Sequence, residues 1–430
     1  MRGIIVNTAV LKLTDGDQAM LNGDRGPAPQ FAMSILVRMA DVYGATALMD
    51  ISQAHIDSTI YLGDATLEFA ERLASLGARV AVPTSLNVSG VDECGWQEWA
   101  VTPEWAAKAA RQMFAYERMG AVAMWTCAPY QTHMRPVFGQ QIAWGESNAI
   151  AFANSVIGAR TERYPDLLDI CCAITGRVPA VGLHLTENRA GQMRLRLVGV
   201  PPALQQDDQF FAVLGHLVGK LAGDQIPVIE GVVVSPAEDH LKAFAAAAAS
   251  SGRVALFHMV GITPEAPTID EAFHGHVPAQ TIDVTTGNLR EARKELTTAD
   301  GRELDMVILG SPHFSLAEFS QLAPLVTGRH AHPRVKFLVT SSRLMKEQAD
   351  KAGVLAPLVS FGAQITLDTC ILASPMLPPE IKTLMTNSAK YAYYAPSLLN
   401  TRVTFGSLAD CVRSAVEGRV VRDESLWQTA

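Results

Sequence analysis

Several short motifs that define common enzyme classes are missing from this 430-residue sequence. It has no Gly-x-Ser-x-Gly turn, which would carry a nucleophile, and no Gly-x-x-x-x-Gly-Lys-Ser/Thr loop, which would bind phosphates. It also has no His-Glu-x-x-His helix, which would bind zinc. Glycine-rich dinucleotide fingerprints are also missing after the predicted strands. The sequence therefore supports neither a serine hydrolase nor a P-loop NTPase nor a Rossmann dehydrogenase.

Basic charge and long apolar runs are also scarce. Charged residues make up 18% of the chain and the formal net charge is −8, without long basic runs, which argues against nucleic acid as a partner because phosphate binding depends on Lys and Arg. No window approaches the roughly 20 apolar residues that span a bilayer. The apolar run within residues 1–10 ends too early for a signal peptide. We therefore expect a soluble, cytoplasmic protein.

Cysteine is limited to six residues: Cys94, Cys127, Cys171, Cys172, Cys370 and Cys411. No C-x-x-C pair occurs, so a zinc ribbon is not supported, and disulfides are uncommon in long cytosolic chains. Adjacent Cys171 and Cys172 lie in an apolar stretch and are interpreted as core residues, as is Cys411, whereas Cys94 is ambiguous. Distant cysteines brought together by the fold could still bind a metal.

The chain does contain a repeated alternation of helices, glycines, apolar strands and polar loops. One predicted helix is capped by Asp64 and ended by Gly77, and another begins at Thr102-Pro103-Glu104 with a cap, a proline and an acid. Strands are predicted at 79–82, 121–125, 306–309, 335–339 and 365–367. Such alternation predicts an α/β fold with parallel sheets and helices on both faces.

We predict several subdomains, because a chain of this length has room for more than one core. Residues 1–184 form an N-terminal α/β part, 185–285 a looser middle subdomain, and 286–430 a C-terminal α/β part. The middle part contains a strand-like segment at 228–234 and an Ala-rich helix ended by Gly252.

Small polar residues and cysteines recur where predicted strands end, which is where parallel sheets bind ligands. The candidate substrate-binding residues at these ends are Thr84, Ser85, Asn87, Ser311 and His313, and the candidate metal ligands are Cys127 and Cys370. Each Ser, Thr or Asn could instead cap a helix, and a buried cysteine could be inert.

Four further residues are candidates for catalysis. His55 could move a proton or hold a carboxylate, and Tyr130 follows a candidate cysteine in the same predicted loop. Ser388 and Lys390 form a cationic, hydroxyl-bearing loop suited to an oxyanion. A structural histidine and a solvated turn are the corresponding alternatives.

Taken together, several strings resemble the large catalytic component of the aconitase X family, between Leu11 and Val412. The strings are Ala54-His55-Ile56-Asp57, Gly63-Asp64-Ala65, Val82-Pro83-Thr84-Ser85-Leu86-Asn87, Thr126-Cys127-Ala128-Pro129-Tyr130, Glu146-Ser147-Asn148-Ala149, Asn154-Ser155-Val156-Ile157-Gly158-Ala159-Arg160-Thr161, Gly310-Ser311-Pro312-His313, Asp368-Thr369-Cys370 and Ser388-Ala389-Lys390.

The resemblance implies an aconitase-like fold and a dehydratase, a hydro-lyase, with an iron–sulfur cluster that acts as a Lewis acid. It also implies a small swivelling domain, which we expect on a second polypeptide. One group of the family dehydrates cis-3-hydroxy-L-proline to Δ1-pyrroline-2-carboxylate; another dehydrates mevalonate 5-phosphate and typically carries Cys before Pro-His. This chain has Ser311 there. The difference favours the hydroxyproline group. It also favours a two-iron, two-sulfide cluster on Cys127 and Cys370, with a third ligand left open, rather than a cubane.

Two other functions stay open from the sequence. One is a mevalonate 5-phosphate dehydratase, and the other is a non-catalytic, ligand-binding subunit of a hetero-oligomer. The sequence also does not identify the base that removes the proton α to the substrate carboxylate. The candidates are His55, Tyr130 and a hydroxyl group of the small partner.

Overall fold

The computed structural model describes residues 11–429 of the chain. The segment 1–10, on which the signal-peptide interpretation rests, lies outside these residues.

The first part of the chain forms helices α1 (Asp15–Asn22), α2 (Pro27–Val42), α3 (Asp64–Ser75), α4 (Pro103–Arg118), α5 (Ser147–Phe152) and α6 (Leu168–Thr175), and strands β1 (Leu48–Asp50), β2 (Ala54–Ile56), β3 (Thr84–Leu86), β4 (Ala143–Trp144) and β5 (Arg177–Pro179). Strands β3, β2 and β4 form a parallel sheet in that order, and β1 pairs with β5 in antiparallel fashion.

The middle of the chain builds a second parallel sheet. Its elements are helices α7 (Pro202–Gln205), α8 (Phe210–Ala222), α9 (Glu238–Ser251), α10 (Ile269–Ala272) and α11 (Thr286–Glu295), and strands β6 (Met193–Leu197), β7 (Pro227–Glu230), β8 (His258–Met259) and β9 (Gln280–Val284). The strand order is β8-β7-β6-β9, and every pairing in it is parallel.

The last part of the chain builds a five-stranded parallel sheet in the order β12-β11-β10-β13-β14. Its elements are helices α12 (Leu316–Val326), α13 (Arg343–Lys351), α14 (Leu355–Phe361), α15 (Ala389–Leu398), α16 (Leu408–Glu417) and α17 (Ser425–Thr429), and strands β10 (Met306–Leu309), β11 (Lys336–Ser341), β12 (Ala363–Leu367), β13 (Thr383–Thr386) and β14 (Arg402–Phe405). The prediction of an α/β fold with parallel sheets and flanking helices is confirmed.

Two of the predicted strands are wrong. Segment 79–82 is not a strand, because Val80 N and Ala81 N donate to the carbonyl oxygens of Met119 and Ala173 instead of joining a ladder. The strand begins two residues later at Thr84. Segment 121–125 contributes only an isolated bridge between Val122 and Ser85. Both segments were misread because an apolar run alone does not fix where a strand pairs.

Helix boundaries agree more closely with the sequence. The hydroxyl of Thr102 accepts a hydrogen bond from Trp105 N (3.2 Å) and caps α4, as predicted. Asp64 is the first residue of α3 and not its cap; the capping position is Gly63, at a φ of +138°. The Asp64 carboxylate instead accepts from the Tyr61 hydroxyl (2.9 Å) and pairs with Lys108 (3.0 Å).

Two hydrophobic cores hold the elements together. The larger core packs the helices of the first two parts, including Leu36, Ile170 and Phe244, and also buries Cys171 and Cys172. The smaller core lies between β10–β12 and helices α12, α14 and α16, and Cys411 is part of it. The interpretation of these three cysteines as core residues is confirmed. No helix in the described part of the chain is long and apolar enough to cross a membrane.

Helices α8 and α9 approach each other closely through small residues. A Cβ atom at Gly215 would lie 2.9 Å from Phe244 Cα, and one at Gly219 would lie 2.6 Å from Ala248 O. The alanine-rich sequence of α9 is therefore needed for close contact with α8 as well as for helix propensity.

We expect Gly215→Ala to destabilise the protein by about 1–3 kcal/mol, because the added methyl group meets rigid backbone of α9. The matched control is Gly287→Ala in α11, where a Cβ atom would meet only Thr285 Oγ1 at 3.5 Å. That change should be neutral or stabilising by up to about 1 kcal/mol. Urea unfolding of both variants measures the difference, and equal effects would contradict the contact argument.

Candidate active site

The site lies where the three strands of the first parallel sheet end. The register pairs His55 with Ser85 on one side and with Trp144 on the other. Because parallel strands end at one edge, the residues that follow them converge there: Asp57 after β2, Asn87 after β3 and Glu146 after β4.

Asn87 joins the two carboxyl groups of this edge. Its Nδ2 donates to Asp57 Oδ1 and, at 3.3 Å, to Glu146 Oε2. Burial and then the negative charge of Glu146 raise the pKa of Asp57 well above its usual range. Burial acts on Glu146 in the same direction, but Lys390 and Asn148 outweigh it and lower the pKa of Glu146 to about 2. One carboxyl group is thereby kept protonated and its neighbour ionised, an arrangement typical of acid–base sites.

A buried ion pair brings the C-terminal part of the chain to this edge. Lys390 Nζ lies 2.7 Å from Glu146 Oε1, and the two side chains are only 12% and 10% exposed. Lys390 belongs to the first turn of α15, which Ser388 caps by accepting from Tyr391 N (3.2 Å). Burial lowers the pKa of Lys390, but Glu146 and Cys127 raise it by more, so the ammonium stays charged.

Two thiols, Cys127 and Cys370, lie in one small apolar cluster with Val88 and Ala373. Burial raises the pKa of Cys127 to about 12, although the charge of Lys390 opposes this. Burial also raises the pKa of Cys370, and Lys390 again opposes it. The ammonium group of Lys390 is therefore close enough to act on both sulfur atoms.

His313 touches both cysteine loops. Its backbone amide donates to Cys127 Sγ (3.2 Å), and its Nε2 donates to the carbonyl oxygen of Thr369 (3.2 Å), the neighbour of Cys370. Burial lowers the pKa of His313 to about 4, so the ring is neutral. Since Nε2 must carry the proton, Nδ1 is a buried acceptor, and no hydrogen-bond partner for it exists among the described residues.

Tyr130 is linked to the Lys390–Glu146 ion pair through the side-chain amide of Asn148. Its hydroxyl donates to Asn148 Oδ1 (2.9 Å), while Asn148 Nδ2 donates to Glu146 Oε1 (2.7 Å) and to the carbonyl oxygen of Cys127 (3.0 Å). The Tyr130 ring stacks on Phe152 with centroids 3.9 Å apart. Burial raises the pKa of Tyr130 well above its usual range, so the phenol stays neutral.

The structure brings most of the predicted site residues together. Besides those above, Ser388 Oγ donates to the carbonyl oxygen of Ser311 (2.5 Å), which places both on the C-terminal side of the site. His55 and Ser85 are linked at 2.9 Å between Nδ1 and Oγ behind the carboxyl groups. Thr84 is separate: its hydroxyl donates to the carbonyl oxygen of Val82 (2.8 Å) at the start of β3.

Sequence reasoning missed four residues of this site: Asp57, Glu146, Asn148 and Asp169. The first three lie in strings quoted for the family resemblance, and that was the available signal. Asp169, in α6, accepts from Asp57 N (2.6 Å) and from Ser58 Oγ (2.7 Å). A Cβ atom at Gly145 would lie 2.7 Å from Asp57 Cβ, so only glycine allows the strand ends to approach this closely.

The residues present fit part of an iron–sulfur site. Cys127 and Cys370 lie close enough together to bind iron, but the metal must displace their protons, because burial raises both pKa values and Lys390 offsets this only in part. Among the described residues, no cluster of three or more His, Cys, Asp or Glu side chains could hold a metal ion. The protein thus offers two thiols, with Ser311 in the neighbouring loop, and not a three-cysteine set.

The buried ion pair allows a double-mutant test. Lys390→Met leaves the Glu146 carboxylate buried without its partner, and we expect a loss of about 3–5 kcal/mol in unfolding free energy. Adding Glu146→Gln should restore a large part of this loss, since the uncompensated charge is then removed. Urea unfolding of the two single variants and the double variant measures the coupling. Additive losses would show that the pair does not interact.

His55 provides a test of pH dependence. Burial lowers its pKa from 6.5 to about 3, so the folded protein binds no proton there while the unfolded chain does. The stability that His55 contributes should therefore fall as the pH drops below about 6.5, by up to about 1.4 kcal/mol per pH unit. We expect the difference in unfolding free energy between the wild-type protein and His55→Gln to shrink towards about pH 5. A buried, non-titrating control, Thr340→Val, should show a constant difference.

Comparison with known proteins places this geometry in a family. Models of the aconitase X first, second and third domains match residues 10–187, 191–294 and 304–417. The chain is 49% identical to cis-3-hydroxy-L-proline dehydratase of Pseudomonas aeruginosa over 96% of its length and 71% of that protein. It is 44% identical to the Hypocrea jecorina protein of the same name, covering 95% of this chain and 69% of that one.

More distant relatives carry a different name. The phosphomevalonate dehydratase large subunit of Methanothermobacter thermautotrophicus is 35% identical over 92% of this chain and 97% of that protein. A crystal structure of holo-form aconitase X from Thermococcus kodakaraensis matches with a TM-score of 0.85 and 32% identity, covering 94% of this chain and 100% of that chain. The predicted resemblance is confirmed: this chain belongs to the aconitase X family.

Proposed function

We propose that this chain is the catalytic large component of a dehydratase that eliminates water from cis-3-hydroxy-L-proline to give Δ1-pyrroline-2-carboxylate. The observation that carries the proposal is the 49% and 44% identity to two dehydratases named for that substrate, over nearly the whole chain. The site supports it with a protonated carboxyl group, an ionised one and a buried cation at one sheet edge.

The cavity beside Ser311 favours the amino acid over mevalonate 5-phosphate. This cavity has a volume of only about 70 Å³ and is lined by Ser311, Ser388, two lysines and three acids. Both lysines are neutralised, Lys390 by Glu146 and Lys242 by two carboxylates. A phosphate dianion is bound most strongly by Lys or Arg with free charge, whereas a substrate that carries an amine and one carboxylate has no net charge to neutralise. Hydroxyl groups and the N-terminus of α15 suffice to orient that single carboxylate.

Elimination of water requires a proton donor for the departing hydroxyl group. We assign this role to Asp57, because it keeps its proton at neutral pH and Asn87 holds it next to Glu146. The Glu146 carboxylate holds the Lys390 ammonium and the Asn148 amide in place. An iron–sulfur cluster on Cys127 and Cys370, which we propose to be of the two-iron, two-sulfide type, would supply Lewis acidity for the same hydroxyl group.

The proton α to the carboxylate also needs an acceptor. The pKa of His55 is about 3 and that of Glu146 about 2, so both are weak bases. Tyr130 is a neutral phenol whose hydroxyl is used by Asn148. These three observations favour a base on the small swivelling domain over His55 or Tyr130. We propose that this domain is on a second polypeptide, since several relatives are named large subunits.

We also propose a division of the chain into parts 1–184, 185–285 and 286–430. Its support is that the strands of the middle sheet all lie between Met193 and Val284, and those of the last sheet begin at Met306.

A cytoplasmic location is proposed as well, since the six cysteines are free thiols in the described structure.

The test is to purify the chain anaerobically with its small partner and to measure iron, sulfide and turnover of the two substrates. We expect iron and turnover of cis-3-hydroxy-L-proline at least about 100-fold above that of mevalonate 5-phosphate, a gap of about 2.7 kcal/mol in transition-state stabilisation. Preferred turnover of the phosphate ester would overturn the substrate assignment. Ligand binding without any turnover would indicate a non-catalytic subunit.

Cysteine variants test the ligands in the same preparation. Cys127→Ala or Cys370→Ala should remove the bound iron, because the described site offers two thiols and no third. The matched control is Cys411→Ala, a buried thiol in the other hydrophobic core, which should keep its iron. Full iron loading of either site variant would show that the ligand assignment is wrong.

A further inference from the structure

His313 has its backbone fixed on both sides. Its amide donates to Cys127 Sγ (3.2 Å), and its carbonyl oxygen accepts from Lys242 Nζ (3.3 Å). Lys242 belongs to α9 in the middle part of the chain, so a residue from outside the sheet edge holds the peptide unit that follows the one in contact with the sulfur atom.

The Lys242 side chain is only 2% exposed and is neutralised by two acids. Its Nζ lies 2.8 Å from Asp239 Oδ1 and 2.5 Å from Glu318 Oε2. An ammonium group has three N–H bonds, and these two carboxylates and the His313 carbonyl oxygen use all three. Lys242 therefore has no donor left for a substrate. Burial lowers its pKa, but Glu318 and Asp239 raise it by more, so the ammonium group keeps its proton.

The same cluster also holds the residues that follow His313. Ser315 donates through its hydroxyl to Asp239 Oδ2 (2.7 Å) and through its amide to Glu318 Oε2 (2.8 Å). Gln131, next to Tyr130, donates to Asp239 Oδ1 (3.3 Å). All three parts of the chain thus meet at Lys242, and the loop from His313 to Ser315 is anchored at its far end as well.

We infer that Lys242 is a positioning residue that keeps the His313 amide directed at Cys127 Sγ through its bond to the His313 carbonyl oxygen. An N–H group that donates to a cysteine sulfur stabilises the thiolate and tunes a metal bound to it. The inference rests on the proposed function only in treating Cys127 as a ligand; the hydrogen bond itself does not require turnover.

The test is hydrogen–deuterium exchange of the cofactor-free chain, resolved to the His313 amide, in the wild-type protein and in Lys242→Met. We expect the amide to exchange at least about tenfold faster in the variant, because its bond to sulfur opens more often once the carbonyl anchor is gone. The control is Arg189→Met, which removes another buried cation, 1% exposed and paired with Glu265. It should leave the His313 amide protected.

The outcomes are distinct. Unchanged protection in Lys242→Met, or faster exchange spread evenly over the chain, would overturn the inference. If Lys242→Met does not fold, Asp239→Asn keeps the ammonium group but weakens its anchor, and it should give a smaller increase at the same amide. In protein loaded with iron, the visible spectrum should shift in Lys242→Met and not in Arg189→Met. Exchange does not depend on activity, so a failed substrate assay would not affect this result.

Discussion

The buried pair between Lys390 and Glu146 is the interaction on which the rest of the site depends. It joins the first turn of α15, which packs on the C-terminal sheet, to the end of β4 in the first sheet. A charge that is buried without its partner would cost several kcal/mol, so each of these charges can be buried only together with the other. The pair thereby favours the association of the two parts of the chain.

The ionised Glu146 then decides the state of its neighbours. Its charge helps to keep the proton on Asp57, and its oxygen atoms orient Asn87 and Asn148. On the other side, Lys390 opposes the effect of burial on Cys127 and Cys370. The same pair thus favours the proton on Asp57 and offsets part of the effect of burial on the two thiols, within a region from which water is largely excluded.

The cluster around Lys242 has a different character from the Lys390 pair. Both lysines are buried and paired, but Lys390 acts directly on the sulfur atoms, whereas Lys242 contacts only carboxylates and a backbone carbonyl. Lys390 thus acts electrostatically on the two thiols, whereas Lys242 contacts the loop that carries His313. Both lysines that line the cavity beside Ser311 are therefore paired with carboxylates.

The sequence by itself determined the class of fold and the start of α4, because a capping residue such as Thr102 acts locally. It also placed His313 and Cys370 after strands that the structure contains, and its strings resemble the family that the comparisons confirm. Strand pairing was decided only by the tertiary structure: segments 79–82 and 121–125 have strand-like composition, but their backbone groups find partners elsewhere. Likewise, Asp57, Glu146 and Lys242 carry ordinary charged side chains in the sequence. Their protonation states and roles follow from burial and from partners distant in the chain, and local sequence encodes neither.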